Sequence, residues 1–164
     1  QLLADTYTQL GYQAESGPWR NFYLTGARDL FKKDVPYTSQ LINDGVLAQM
    51  DMGTLLDYCA IQLNGEKAGG KEAVININFT DTKEKVMLML NNEVLNHRLG
   101  SQDKKADLTM EIAKMDFVKL FFGRTDLQTL HKTNKVKTTG DTKAIDMIRS
   151  ACEPADPNFN IVLP

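Results

Sequence analysis

Residues 50–63, MDMGTLLDYCAIQL, carry the pattern from which the rest of the chain is read. Met52, Leu55, Leu56, Cys59 and Leu63 recur at helical spacing and make one apolar stripe. Asp51 is placed to cap the first turn through its carboxylate, and Asn64-Gly65 supply residues that tolerate a left-handed end. Tyr58, Ala60 and Ile61 point away from the stripe. The helix is therefore expected to meet apolar neighbours on more than one side.

Downstream the period changes from helical to two. After a turn at 65–70, residues 72–80 alternate Ala73, Ile75, Ile77 and Phe79 against Asn76 and Asn78, which predicts a strand with one buried face. A polar turn over 81–85, a strand over 86–90, a hairpin turn at Asn91-Asn92 and a strand over 94–99 follow. Residues 106–112 make a fourth strand, with Leu108, Met110 and Ile112 on one face. Phe117, Val118, Leu120 and Phe121 then form a short helix ended by Gly123, and Thr125 or Asp126 starts another through Leu127 and Leu130. Residues 135–139 are a candidate fifth strand. A last helix turns Ala144, Ile145, Ile148 and Ala151 inward before Pro154 and Pro157 stop it, and the apolar tail 159–163 is expected to pack back.

Upstream, Leu3, Tyr7 and Leu10 predict a helix that breaks at Gly11 and at 15–18. Trp19, Phe22, Tyr23, Gly26, Ala27 and Leu30 predict a second, making a helical hairpin with much aromatic surface. Such a pair needs a partner. Asp34-Val35-Pro36 breaks the pattern, so the boundary is set within 32–36, and Leu41, Ile42 and Val46 suggest a short helix before residue 50. The order of elements is α+β, a sheet with helices on one face.

With 164 residues, one substantial core forms without disulfides or metals. A net charge of −2 gives no electrostatic reason to bind nucleic acid. No apolar run reaches the roughly 20 residues of a membrane span and no signal-peptide pattern is present, so the compartment (periplasm, exterior or cytoplasm) is not readable. The chain starts at Gln1 inside a helical pattern, which suggests a fragment of something longer.

Chemical motifs are sparse. His97 and His131 lie in no metal-ligand spacing, Cys59 and Cys152 form no CxxC, and no nucleophile elbow, P-loop or dinucleotide loop occurs. His131 with Asp126 is a hydrolytic pair only at an awkward i, i+5 spacing. Lys132, Lys135, Lys137 and Lys143 read as a solvated face. All seven methionines follow residue 49, where flexible thioethers serve either as core filler or as the lining of a ligand cavity.

Two resemblances add to this reading. Lys105-Ala106-Asp107-Leu108-Thr109-Met110, Asp116-Phe117, Gly123-Arg124, Lys135-Val136-Lys137 and Gly140-Asp141 resemble the progression of sterol-carrier-protein-type lipid-binding domains. Asn134 stands where that progression has Gly, and asparagine also accepts the left-handed conformation. Leu3-Ala4-Asp5 and residues 11–27, GYQAESGPWRNFYLTGA, resemble the end of the dimerisation domain of bacterial alkylsulfatases. The stretches 50–65, 78–82 and 160–164 are similar to the same family.

The resemblance implies a sterol-carrier-protein-like α+β fold, with a mostly antiparallel sheet of about five strands covered by helices and preceded by an N-terminal helical hairpin. Residues 1–34 would be the helical end of a dimerisation domain and 35–164 an apolar-ligand-binding domain. It further implies a homodimeric parent enzyme whose metallo-β-lactamase-like domain holds two zinc ions and cleaves alkyl sulfate esters such as dodecyl sulfate. The HxHxDH ligands of that domain are not in these residues, so no catalytic or metal residue is carried over. The expected role is to bind an alkyl chain or lipid along Leu55, Leu56, Cys59, Leu63, Phe117, Leu120, Phe121 and Met147. An assembly module without a ligand, or a free-standing lipid carrier, are the alternatives.

Overall fold

A computed structural model of the chain describes residues 1–31, 43–153 and 162. These fall into two compact units, one holding residues 1–31 with Val162 and the other residues 43–153. The boundary expected within 32–36, the positions Leu41 and Ile42, and all of the tail except Val162 lie outside the described residues. Among the described residues no helix is long and apolar enough to cross a membrane.

The first unit is an antiparallel helical pair, α1 (Leu2–Gln13) and α2 (Gly17–Phe31). Small residues set its closeness. Ala4, Gly11, Gly26 and Ala27 are buried, and a Cβ on Gly11 would stand 2.7 Å from the Leu24 side chain. The expected stripe Leu3–Tyr7–Leu10 is thus rotated: Leu3 and Leu10 stay 50% and 40% exposed. The physical reason is that two helices approach closely only where side chains are small, and Ala4 and Gly11 lie one residue, about 100°, around from Leu3 and Leu10. Trp19 and Phe22 are displaced outward in the same way, although Trp19 still meets Tyr23 and Tyr23 meets Tyr7, each at 5.9 Å between rings. Val162 closes on this pair, its N–H donating to Asp29 Oδ2 at 3.2 Å.

The second unit is a five-stranded sheet with helices on one face. Its strands are β1 (Ala73–Phe79), β2 (Lys85–Asn91), β3 (Val94–Leu99), β4 (Leu108–Ile112) and β5 (Val136–Gly140), in the order β3-β2-β1-β4-β5. Only the β1–β4 pair is parallel. The connection that makes this possible crosses the face opposite the core. Buried Asn76 pins it, donating through Nδ2 to the Asp103 carbonyl at 2.7 Å and accepting the Asp103 N–H at 3.0 Å. Ile75, Ile77 and Phe79, one residue out of phase, enter the core.

Turn chemistry corrects three expectations. The β2–β3 hairpin closes at Asn92-Glu93, with φ of +48° and +64°, rather than at Asn91-Asn92. Asn91 is paired with Val94 and so belongs to the strand. The organising helix is α4 (Met52–Ala60), capped as expected by Asp51, which accepts the Thr54 N–H at 3.0 Å. Asn64, however, is not its left-handed end. With φ of −88° it caps the four-residue helix α5 (Gly65–Ala68), and the left-handed residue is Gly69. The turn expected at 65–70 is therefore a helical turn, because the Asn64 side chain can accept from the Lys67 N–H.

The remaining helices are α3 (Asp44–Gln49), α6 (Lys114–Phe121), α7 (Leu127–Lys132) and α8 (Lys143–Ala151). Helix α6 begins at Ala113, which has no capping side chain. Asp81 of the β1–β2 turn supplies the carboxylate instead, accepting the Lys114 N–H at 3.1 Å. The buried Lys114 ammonium reaches the other way, donating to the carbonyls of Ala48 and Met50 where α3 ends. Asn134 does adopt the left-handed conformation, φ +55°, just before β5.

Candidate apolar-ligand site

Helices α4 and α6 both turn apolar residues into the one core cluster that they share with the sheet. Leu55, Leu56, Cys59, Phe117, Leu120 and Phe121 are buried, while Leu63 and Met147 pack half-buried against them. All eight residues expected to line an apolar site thus belong to one hydrophobic cluster, six inside it and two at its margin.

Aromatic rings link the interior to that margin. Phe79 meets Phe117 edge-on at 5.6 Å, Phe117 meets Phe121 at 5.8 Å, Phe121 meets Phe122 at 5.4 Å, and Phe122 meets Tyr58 at 5.5 Å. Such tilted and edge-on pairs satisfy the ring quadrupoles at these separations. Tyr58 and Phe122 are half-buried, as are Met115 and Leu127. The helical stripe does not single these residues out, since they flank it. The only signal in the sequence is Tyr58 standing off the stripe on an otherwise complete amphipathic helix.

The polar groups nearby are structural. Burial pushes the Cys59 thiol up, helped by Cys152, and pushes the Cys152 thiol up to about 11 against the opposing pull of Arg149. Both cysteines are free, and neither is a thiolate at neutral pH. Asp126 accepts the Thr129 N–H at 2.7 Å and its hydroxyl at 3.1 Å, which holds its carboxyl below the usual range. His131 instead places Nε2 at 3.2 Å from the Thr138 hydroxyl. His97 Nδ1 lies 3.7 Å from Asp57 Oδ1 on α4. Lys135 and Lys137 of the basic stretch face Asp116 and Glu111 at 3.4 and 3.9 Å. Among the described residues, no three His, Cys, Asp or Glu side chains converge as metal ligands would.

Residues 40–164 match the family model described as alkyl sulfatase C-terminal, and residues 1–33 match the one described as alkyl sulfatase dimerisation. The chain belongs to the alkylsulfatase family. This alkylsulfatase chain is similar to a linear primary-alkylsulfatase of Pseudomonas sp, with 39% identity over 165 residues covering 99% of the chain and 24% of that protein. An alkyl/aryl-sulfatase of Saccharomyces cerevisiae is 30% identical over 164 residues, again 25% of its length. The solved structure of the stereoselective inverting sec-alkylsulfatase Pisa1 from Pseudomonas sp. superposes with a TM-score of 0.84 at 35% identity, over 97% of this chain and 25% of that one. The chain therefore spans about a quarter of the length of the relatives it matches. It holds the C-terminal part of the alkylsulfatase architecture, with the helical pair and the five-stranded sheet both present.

Proposed function

We propose that this part of the alkylsulfatase is non-catalytic, and that it binds and orients the alkyl chain of a sulfate-ester substrate for a metallo-β-lactamase-like zinc domain elsewhere in the whole protein. The observation that carries this reading is the ring series from Phe79 to Tyr58, which extends the sealed core to a half-buried apolar margin. An alkyl tail inserted beside those rings gains about 0.8 kcal/mol per buried CH₂. Tail binding on this scale concentrates a detergent-like substrate and restricts its orientation.

The test is calorimetric titration of the 164-residue chain with decyl sulfate below its micelle concentration, alongside displacement of a fluorescent fatty acid. One saturable site is expected. Absence of both heat and displacement rejects alkyl binding.

A second reading concerns the first unit. Trp19 and Phe22 are 62% and 58% exposed, and with Leu3 and Leu10 they leave an apolar face on the helical pair. We propose that this face holds two copies together, as the dimerisation match suggests. Sedimentation of a chain beginning at residue 35 should show monomers that still bind decyl sulfate. A dimer that survives loss of the helices refutes the assignment.

A further inference from the structure

Helix α3 is lightly held for an element that reaches the core. Leu47 is its one buried residue, 1% exposed, against four buried residues on α4 and five on α6. Six residues are too few for a helix to stand by itself, and Gly45 lowers its intrinsic preference further. Polar contacts at its two ends supply the rest. Asp44, the first residue of α3, pairs with the Arg124 guanidinium just past the end of α6. At the other end Lys114, the first residue of α6, donates from Nζ to the Ala48 carbonyl at 3.0 Å and to the Met50 carbonyl. Helix α3 therefore runs antiparallel along α6, latched at both ends.

The latches and the hinge are built differently. The side chains of Arg124 and Asp44 are 47% and 52% exposed, and an ion pair so open to water holds weakly. Lys114 is buried and takes carbonyls that the end of a helix leaves free. Between α3 and α4 the backbone is extended at Met50 and Asp51, with ψ of 140° and 163°. Asp51 caps α4 through Thr54, so α4 keeps its start whatever α3 does. Rotation about this hinge lifts Leu47 out of the cluster it shares with Phe117 and Phe121 of α6, and leaves an apolar seat of leucine size.

We propose that α3 is a lid and Leu47 its plug: an alkyl tail reaches the sealed core by taking the seat of Leu47, with α3 displaced and the anionic head left at the surface. The inference rests on the alkyl-binding reading and names the door through which the tail enters. Exchange of one apolar group for another in the same seat changes little apolar burial, so the latches set the balance between closed and open. A ligand that binds only the open state has its affinity reduced by the fraction of chains that are open, and weakening a latch raises that fraction.

The 164-residue chain and its Arg124→Ala and Asp44→Asn variants are titrated with decyl sulfate below its micelle concentration, alongside displacement of a fluorescent fatty acid. Hydrogen exchange is followed in the free and the saturated parent. The N–H groups of Leu47 and Met50, which close α3 on the carbonyls of Asn43 and Val46, should exchange at least about tenfold faster with decyl sulfate bound, while those of α6 do not accelerate. Both variants should bind decyl sulfate about twofold to fivefold more tightly than the parent. Saturation that leaves α3 as protected as before, or more so, overturns the lid, as do latch variants that bind no more tightly than the parent; alkyl binding then stands without it. Absence of heat and displacement in the parent and in both variants rejects the alkyl reading itself, and the lid falls with it.

Discussion

Gly140 turns with φ of +108° directly against the main-chain carbonyl of Asp107, closer than any Cβ on residue 140 could tolerate. The contact has a purpose. The Asp107 carbonyl accepts the Asp141 N–H at 2.8 Å, while the Asp107 carboxylate accepts the Val74 N–H at 2.8 Å. One aspartate thus ties together the starts of β1 and β4 and the end of β5. Gly140→Ala should destabilise the chain by about 3 kcal/mol, from backbone strain plus the displaced Asp107 carbonyl. An unchanged urea midpoint would contradict this account.

Asn76 fastens the crossing connection by two hydrogen bonds from a buried position. Asn76→Ala leaves the Asp103 N–H unmatched and its carbonyl with only the Ala106 N–H at 3.4 Å, and should cost about 1–3 kcal/mol. Hydrogen exchange should accelerate over residues 101–106 more than in β2 and β3. Uniform acceleration across the sheet would show that the side chain stabilises the unit as a whole rather than the connection.

Helix α4 offers a paired comparison. Leu56 is fully buried, so Leu56→Asp places a charge in the core and should abolish folding, seen as loss of near-ultraviolet dichroism. Asp57 is adjacent but its side chain is 76% exposed, and Asp57→Asn should leave both stability and decyl sulfate binding unaltered. A folded Leu56→Asp protein would sink the assignment of this face.

Thiol labelling distinguishes the two cysteines. Cys152, pushed up to about 11 by burial, should react slowly near about pH 8 and faster as the pH climbs towards that value. Cys59 is deeper in the core and should react only on unfolding. Rapid labelling of two thiols under native conditions would refute the burial of Cys59 and the pairing of Cys152 with Leu63.

Acid should weaken the chain through three carboxyls held below their ordinary values. Asp51 is held by the Thr54 hydroxyl and N–H, Asp126 by the Thr129 N–H and hydroxyl, and Glu153 by the Asn64 amide and then Lys67. A lowered folded value means the unfolded chain takes up protons first. Their contribution is therefore complete above the ordinary values of 3.8 for Asp and 4.5 for Glu, and is lost as pH falls through the folded values. In Asp51→Ala, Asp126→Ala and Glu153→Ala chains, the fall in denaturation midpoint between about pH 6 and about pH 3 should be shallower. Curves parallel to the parent would remove these groups from the acid transition.

Local chemistry was legible wherever neighbours in sequence settle the outcome. Asp51 read as a cap, and Asp126 as one of two candidates with Thr125, because a carboxylate three residues before a free N–H needs no further partner; in the structure Asp51 and Asp126 both cap. The alternation in 73–79 and the spacing of 144, 145, 148 and 151 identified buried faces for the same reason. Asn64 and the β2–β3 turn were misplaced because asparagine suits several turn positions, and strand pairing chose among them.

What the sequence by itself determined is therefore the alternation of elements, their caps and the inward faces of α4, β1 and α8, together with the motifs that resemble alkylsulfatases. Tertiary structure alone decided which helical face closes the first unit, since backbone proximity selects Ala4 and Gly11 over larger leucines. It also decided that Asp81 caps a helix 33 residues away. The buried Arg149 Nε–H, which meets no acceptor among the described residues, is likewise a matter of three-dimensional surroundings that no local pattern shows.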